Sequence, residues 1–142
     1  MEIDVADRQS AVELDHDEVL RVLRLGLKME GRDADLSVVI TGDAEMRDLN
    51  LRFGGRDCET DVLAFGYGED AESVEGEIIV NAELAARQAE SRAHSAQGEL
   101  MLYLVHGLLH LTGCDDHEEE ETRQMREREQ RLLEAAGYSV VY

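Results

Sequence analysis

Glu99-Leu100-Met101-Leu102-Tyr103-Leu104-Val105-His106-Gly107-Leu108-Leu109-His110-Leu111-Thr112-Gly113-Cys114-Asp115-Asp116-His117 decides the reading of this chain. Its first part is apolar and made mostly of good helix formers, which predicts a buried helix over about Gln97 to Thr112. Residues four apart share a helix face, so His106 and His110 point the same way and can hold one ion. Gly113 can take the left-handed conformation that ends a helix. The chain can then turn back and bring a third ligand from Asp115, Asp116 or His117. Three protein ligands and an open position is the pattern of a catalytic zinc. A lone histidine on an apolar helix is usually a core residue. Two at this spacing, followed by a glycine stop and an Asp-Asp-His cluster, are hard to explain by packing. Zinc peptidases carry His-Glu-x-x-His with the glutamate as general base. Here Gly107 occupies that position.

His106-Gly107-x-Leu109-His110-Leu111-x-Gly113 resembles the signature of the YbeY endoribonucleases, the rRNA maturation factors. Two upstream blocks agree: Thr60-Asp61-Val62-Leu63-Ala64-Phe65 and Gly76-Glu77-Ile78-Ile79-Val80. Leu49-Asn50-x-x-Phe53 fits the helix before the first block. The resemblance implies a zinc-dependent, single-strand-specific endoribonuclease acting in small-subunit rRNA processing and ribosome quality control. It implies one Zn2+ per chain and RNA of the ribosome as partner, with ribosomal or assembly-factor proteins as further candidates and no DNA. The chain departs from the family at three places. Cys114 stands where an aromatic is usual, Asp116 where the third histidine is usual, and Gly54 where an arginine is common. Spacing therefore favours Asp116 as third ligand, and ligand type favours His117. We take His117, with Asp116 as the alternative, because a turn absorbs one extra residue at little cost.

Composition bounds the rest. The 142 residues suffice for one domain with a real core, and 43% hydrophobic content is that of a globular chain. A formal charge of -19 works against nonspecific binding to nucleic acid or anionic membrane. It does not exclude an RNA enzyme, because a local basic groove matters more than the sum. No apolar run reaches membrane-spanning length and no signal peptide is visible, so a cytoplasmic protein without a membrane partner is expected. Cys58 and Cys114 fit reduced thiols.

Taken in order, Glu2–Ala6 reads as a short strand. Asp15 caps a helix from His16 to about Glu30, with Val19, Val22, Leu23 and Leu27 inward. Leu36–Ile40 is a strand, and Asp43 caps a helix to about Phe53 with Met46, Leu49 and Phe53 inward. Thr60–Phe65 and Glu77–Asn81 are strands, separated by an acidic loop, Gly66–Glu75, expected to be mobile. Helices follow over Ala82–Ser91, the metal-bearing segment, and Glu118–Ala136, which buries Met125, Leu132, Leu133 and Ala136. The Glu118–Glu121 run reads as a solvated helix start. Ser139–Tyr142 is a short tail or edge strand. This order is that of an α+β domain: a mixed sheet of about four strands packed with helices around a central buried metal-bearing helix.

Chemistry names the remaining candidates. Phosphodiester cleavage needs a proton carrier and a cation at the phosphate. Asp115 is the candidate for the first role and Arg56, in the Gly54–Asp57 loop, for the second. Arg21, Arg24 and Lys28 on the first helix, Arg52 beside the loop, and Arg87 and Arg92 before the metal helix are candidate RNA contacts. A metal-dependent peptidase-like hydrolase, or a non-catalytic ribosome-assembly factor with a structural metal, are the alternatives.

Overall fold

A computed structural model describes residues 2–67 and 73–140. Its elements are β1 (Glu2–Asp7), α1 (His16–Glu30), β2 (Asp33–Thr41), α2 (Asp43–Gly54), β3 (Val62–Tyr67), β4 (Ser73–Asn81), α3 (Ala82–Glu90), α4 (Ala96–Leu111) and α5 (Glu119–Ala136). This is the order expected from the sequence. The strands lie side by side as β1-β2-β4-β3. β1 and β4 both run parallel to β2, and β3 runs antiparallel to β4. The domain is therefore α+β with a mixed sheet of four strands. No helix among the described residues is long and apolar enough to cross a membrane.

Alternation along the strands sets the core face. Val38 and Ile40 of β2 pair in register with Ile78 and Val80 of β4, and all four are fully buried. Helix α4 lies against this sheet and is the centre of the domain. Leu100, Met101, Leu104 and Leu108 are inaccessible on it, and α1, α3 and α5 surround it. Its approach depends on Gly107. A Cβ there would stand 2.9 Å from Ile78 Cγ2 and 3.1 Å from Val62 Cγ2. The glycine lets the helix backbone touch the sheet at the level of the two histidines.

Helix α1 follows its sequence closely. The Asp15 carboxylate accepts from Asp17 N–H, and Gly31, at φ 66°, ends the helix. Other expectations need correction. Asp43 is the first residue of α2 and not its cap. Gly42 holds the cap position without a side-chain bond, and the Asp43 carboxylate instead binds Arg87 and Asn81. Phe53 is 65% exposed, not inward, and its ring lies against Phe65 at 5.2 Å. Asn50 takes the inward place, donating from its amide to the Cys58 carbonyl. Most of the expected loop Gly66–Glu75 is strand where it is described: Gly66 and Tyr67 belong to β3, and Ser73–Glu75 to β4. Residues 68–72 of that loop lie outside the described residues, as do Val141 and Tyr142 of the expected tail. Ser139 and Val140 form no strand.

Candidate metal centre

Helix α4 is capped by Ser95, whose Oγ accepts from Gly98 N–H. Regular helical spacing then stacks His106 and His110 on one face. Their rings meet edge-on with centroids 4.6 Å apart, and their Nε2 atoms are 3.0 Å apart. The helix closes with Gly113 N–H donating to His110 O and Cys114 N–H to Leu109 O. Gly113 adopts φ 104°, the left-handed conformation its position requires. The chain reverses, and the Thr122 hydroxyl on α5 donates to the Asp116 carbonyl at 2.9 Å. Asp116 Oδ2 then stands 3.4 Å from His106 Nε2 and 3.6 Å from His110 Nε2.

The structure thus brings Asp116 to the pair, and not the expected His117. The ligand atoms of His117 gather instead with those of Asp115 and Asp116, beside the histidine pair. His117 is 80% exposed at its side chain, and its Nε2 lies 3.0 Å from Asp115 Oδ1. The three facing atoms fit a metal ion. Ligands on a tetrahedral zinc at 2.0–2.1 Å are roughly 3.3 Å from one another, close to the separations seen here. The remaining ring nitrogen of His106 is already committed. Its Nδ1 is 2.7 Å from Glu129 Oε1, which leaves Nε2 for the centre. Burial works against a charged His106 ring. The Glu129 hydrogen bond, with the charges of Glu129, Asp116 and Asp61, outweighs it and raises the pKa.

Two clefts meet at His106. One, of about 440 Å3, is bounded by Arg92, Tyr103, Asp116, Arg126 and Glu129. The other, of about 530 Å3, is bounded by His110, Asp115, His117 and the start of β3. Asp61 lines both. Among the expected cations, Arg92 reaches a cleft, whereas Arg21, Arg24, Lys28, Arg52, Arg56 and Arg87 do not. Arg21 binds Glu18 and the Ala136 carbonyl, tying α1 to the end of α5. Arg52 pairs with Asp48, Arg87 pairs with Asp43, and Arg24 and Arg56 are exposed.

Sequence reasoning missed Glu129, Glu99 and Arg126. Glu129 is 3% exposed on α5 between Met125 and Leu132, inside the apolar stripe. A carboxylate at that spacing was the available signal. Glu99 is fully buried in an apolar helix and gave the same signal.

The family model of endoribonuclease YbeY matches residues 3–137. The chain belongs to the YbeY family. It is 40% identical to the endoribonuclease YbeY of Salinispora tropica over 94% of both chains. It is 38% identical to that of Carboxydothermus hydrogenoformans over 84% of both. The solution structure of TM1509 from Thermotoga maritima superposes with a TM-score of 0.64 at 28% identity, covering 94% of this chain and 88% of the other.

Proposed function

We propose that this YbeY-family chain is a zinc-dependent endoribonuclease that cuts single-stranded ribosomal RNA during small-subunit maturation and ribosome quality control in the cytoplasm. One observation carries the reading: His106, His110 and Asp116 converge on one point where two open clefts meet. Membership of a family of endoribonucleases supports the RNA substrate.

His106, His110 and Asp116 would hold the ion, and Glu129 would orient His106 through Nδ1. A bound zinc with an open position supplies Lewis acidity and a water acidified toward neutrality. The chain's own residues must handle protons and charge. Hydrolysis adds water to phosphorus and breaks one P–O ester bond, so the water loses a proton and the leaving oxygen gains one. Asp115 lines the cleft that contains His110, with His117 Nε2 3.0 Å from its carboxylate, and would take that proton. The peptidase reading loses support, because a glutamate at Gly107 has no room against Ile78 and Val62.

The test uses protein purified without a histidine tag and freed of contaminating nuclease. Elemental analysis should find about one equivalent of zinc. Single-stranded RNA should be cut by this protein and left intact by His110→Ala. Equal cleavage by both would overturn the proposal.

A further inference from the structure

Behind the first cleft lies an ionic network that the metal centre does not use. Glu99, in the first turn of α4, is completely buried. Its Oε1 accepts from Arg92 Nη1, and its Oε2 faces His94 Nε2, each at 2.5 Å. The His94 side chain is 2% exposed, but that of Arg92 is 34% exposed and lines the cleft beside His106 and Asp116. A buried carboxylate is costly to desolvate, and an apolar residue would pack this turn more cheaply. The arrangement makes sense when the useful end is the cation. Glu99 grips one nitrogen of the guanidinium and leaves the side chain facing the open cleft.

A second guanidinium joins it. Arg126 comes from α5 to the same cleft, one turn before Glu129. Among the described residues, Arg92 and Arg126 are the only arginines or lysines lining either cleft. Around them stand Glu59, Asp61 and Asp116, in a chain of formal charge -19. A polyanion can enter such a cleft only where local cations meet its phosphates. Planar guanidinium groups suit phosphate oxygens through paired N–H donors. Tyr103, on the same wall, adds a neutral hydroxyl. Burial, with the nearby Glu99 carboxylate, pushes its pKa up.

We propose that Arg92 and Arg126 clamp the RNA backbone phosphate lying next to the metal ligands, and that Glu99 is the positioning residue for Arg92. This rests on the endoribonuclease reading above. The zinc-loaded protein is compared with Arg92→Gln, Arg92→Lys, Arg126→Gln and Glu99→Gln. Arg123→Gln removes the same charge from α5 outside both clefts and serves as control. Binding of a 2′-O-methyl RNA oligonucleotide is followed by fluorescence anisotropy from low to high salt. Cleavage of single-stranded RNA, zinc content and Tm are measured in parallel. Arg92→Gln and Arg126→Gln should each lower kcat/KM at least tenfold relative to Arg123→Gln. Each should also make the salt slope shallower by about 0.7, the value for one lost phosphate contact on a single strand. Arg92→Lys should recover part of the loss. Glu99→Gln, assayed well below its Tm, should lose at least fivefold in kcat/KM at unchanged zinc content. Full cleavage by folded Glu99→Gln removes the positioning role. If the wild type cleaves and both arginine variants match Arg123→Gln in slope and kcat/KM, the clamp is overturned and the endoribonuclease reading stands. If the wild type binds with these arginine-dependent slopes yet cleaves nothing, the clamp stands and that reading falls.

Discussion

Glu129 on α5 accepts a hydrogen bond from Nδ1 of His106 on α4 at 2.7 Å, from a position that is 3% exposed. The contact joins the packing of two helices to the electronic state of one imidazole. With Nδ1 as donor, Nε2 keeps its lone pair toward His110 and Asp116. Replacing Glu129 by Gln keeps the volume but removes the charge and weakens the acceptor. We expect zinc affinity to fall by about 10–100-fold, the usual cost of losing such an outer partner. Competition with a calibrated chelator measures it. Wild-type affinity in Glu129→Gln would show that the bond only joins the helices.

Gly107 sets how closely α4 meets the sheet. Gly107→Ala puts a methyl group 2.9 Å from Ile78 Cγ2 and 3.1 Å from Val62 Cγ2. Ile78 has little room to swing away, because it is fully buried on a paired strand, whereas Val62 is partly buried. We expect a loss of about 1–3 kcal/mol, as for other overpacked cores. Urea denaturation should show a lower midpoint at unchanged slope. An unaltered midpoint would mean that the sheet yields here.

Asp43 joins α2 to α3 through Arg87 and also accepts from the Asn81 amide. The Arg87 hydrogen bond holds its pKa below the usual carboxylate value, against the opposing effect of burial; the Asn81 bond adds to the lowering. A pKa depressed by folding gives stability that is present above the unfolded value, about 3.9, and is lost as pH falls through the folded value. Asp43→Asn should therefore cost about 1 kcal/mol at neutral pH. The gap between variant and wild type should start to narrow near about pH 4 and close only as pH falls through the lower folded-state value. Denaturation at both pH values checks this; an equal gap at each would contradict the assignment.

The order of elements was readable because each has its own local signal. Asp15 and Gly31 bracket α1, and the leucine-rich run around His106 can be little but a buried helix. The misreadings fall where tertiary partners compete for a side chain. Asp43 looked like a cap until Arg87, distant in sequence, claimed its carboxylate. Phe53 looked like core because nothing local says that α2 turns its last aromatic toward Phe65 at the surface. The histidine pair was legible from helical spacing alone. Glu129 and Arg126 were not, because their place depends on how α5 crosses α4.

The choice between Asp116 and His117 turns on one residue of register, where spacing favours Asp116 and ligand type favours His117. Gly113 and Cys114 end α4 through fixed backbone bonds to His110 and Leu109, and the Thr122 hydroxyl then holds the Asp116 carbonyl. With both ends of the turn held, Asp116 is the side chain brought to both histidines. A carboxylate in place of an imidazole adds a negative charge to the ligand set, which makes the bound ion a weaker Lewis acid than one held by three neutral rings. We expect Asp116→Asn to release zinc, and His117→Ala to retain it while cleavage falls through the loss of support for Asp115. Zinc content and chelator competition on the two variants, measured side by side, decide the point. Retention in Asp116→Asn with release in His117→Ala would mean that the turn re-forms around the ion by one residue, as ligand type alone suggests.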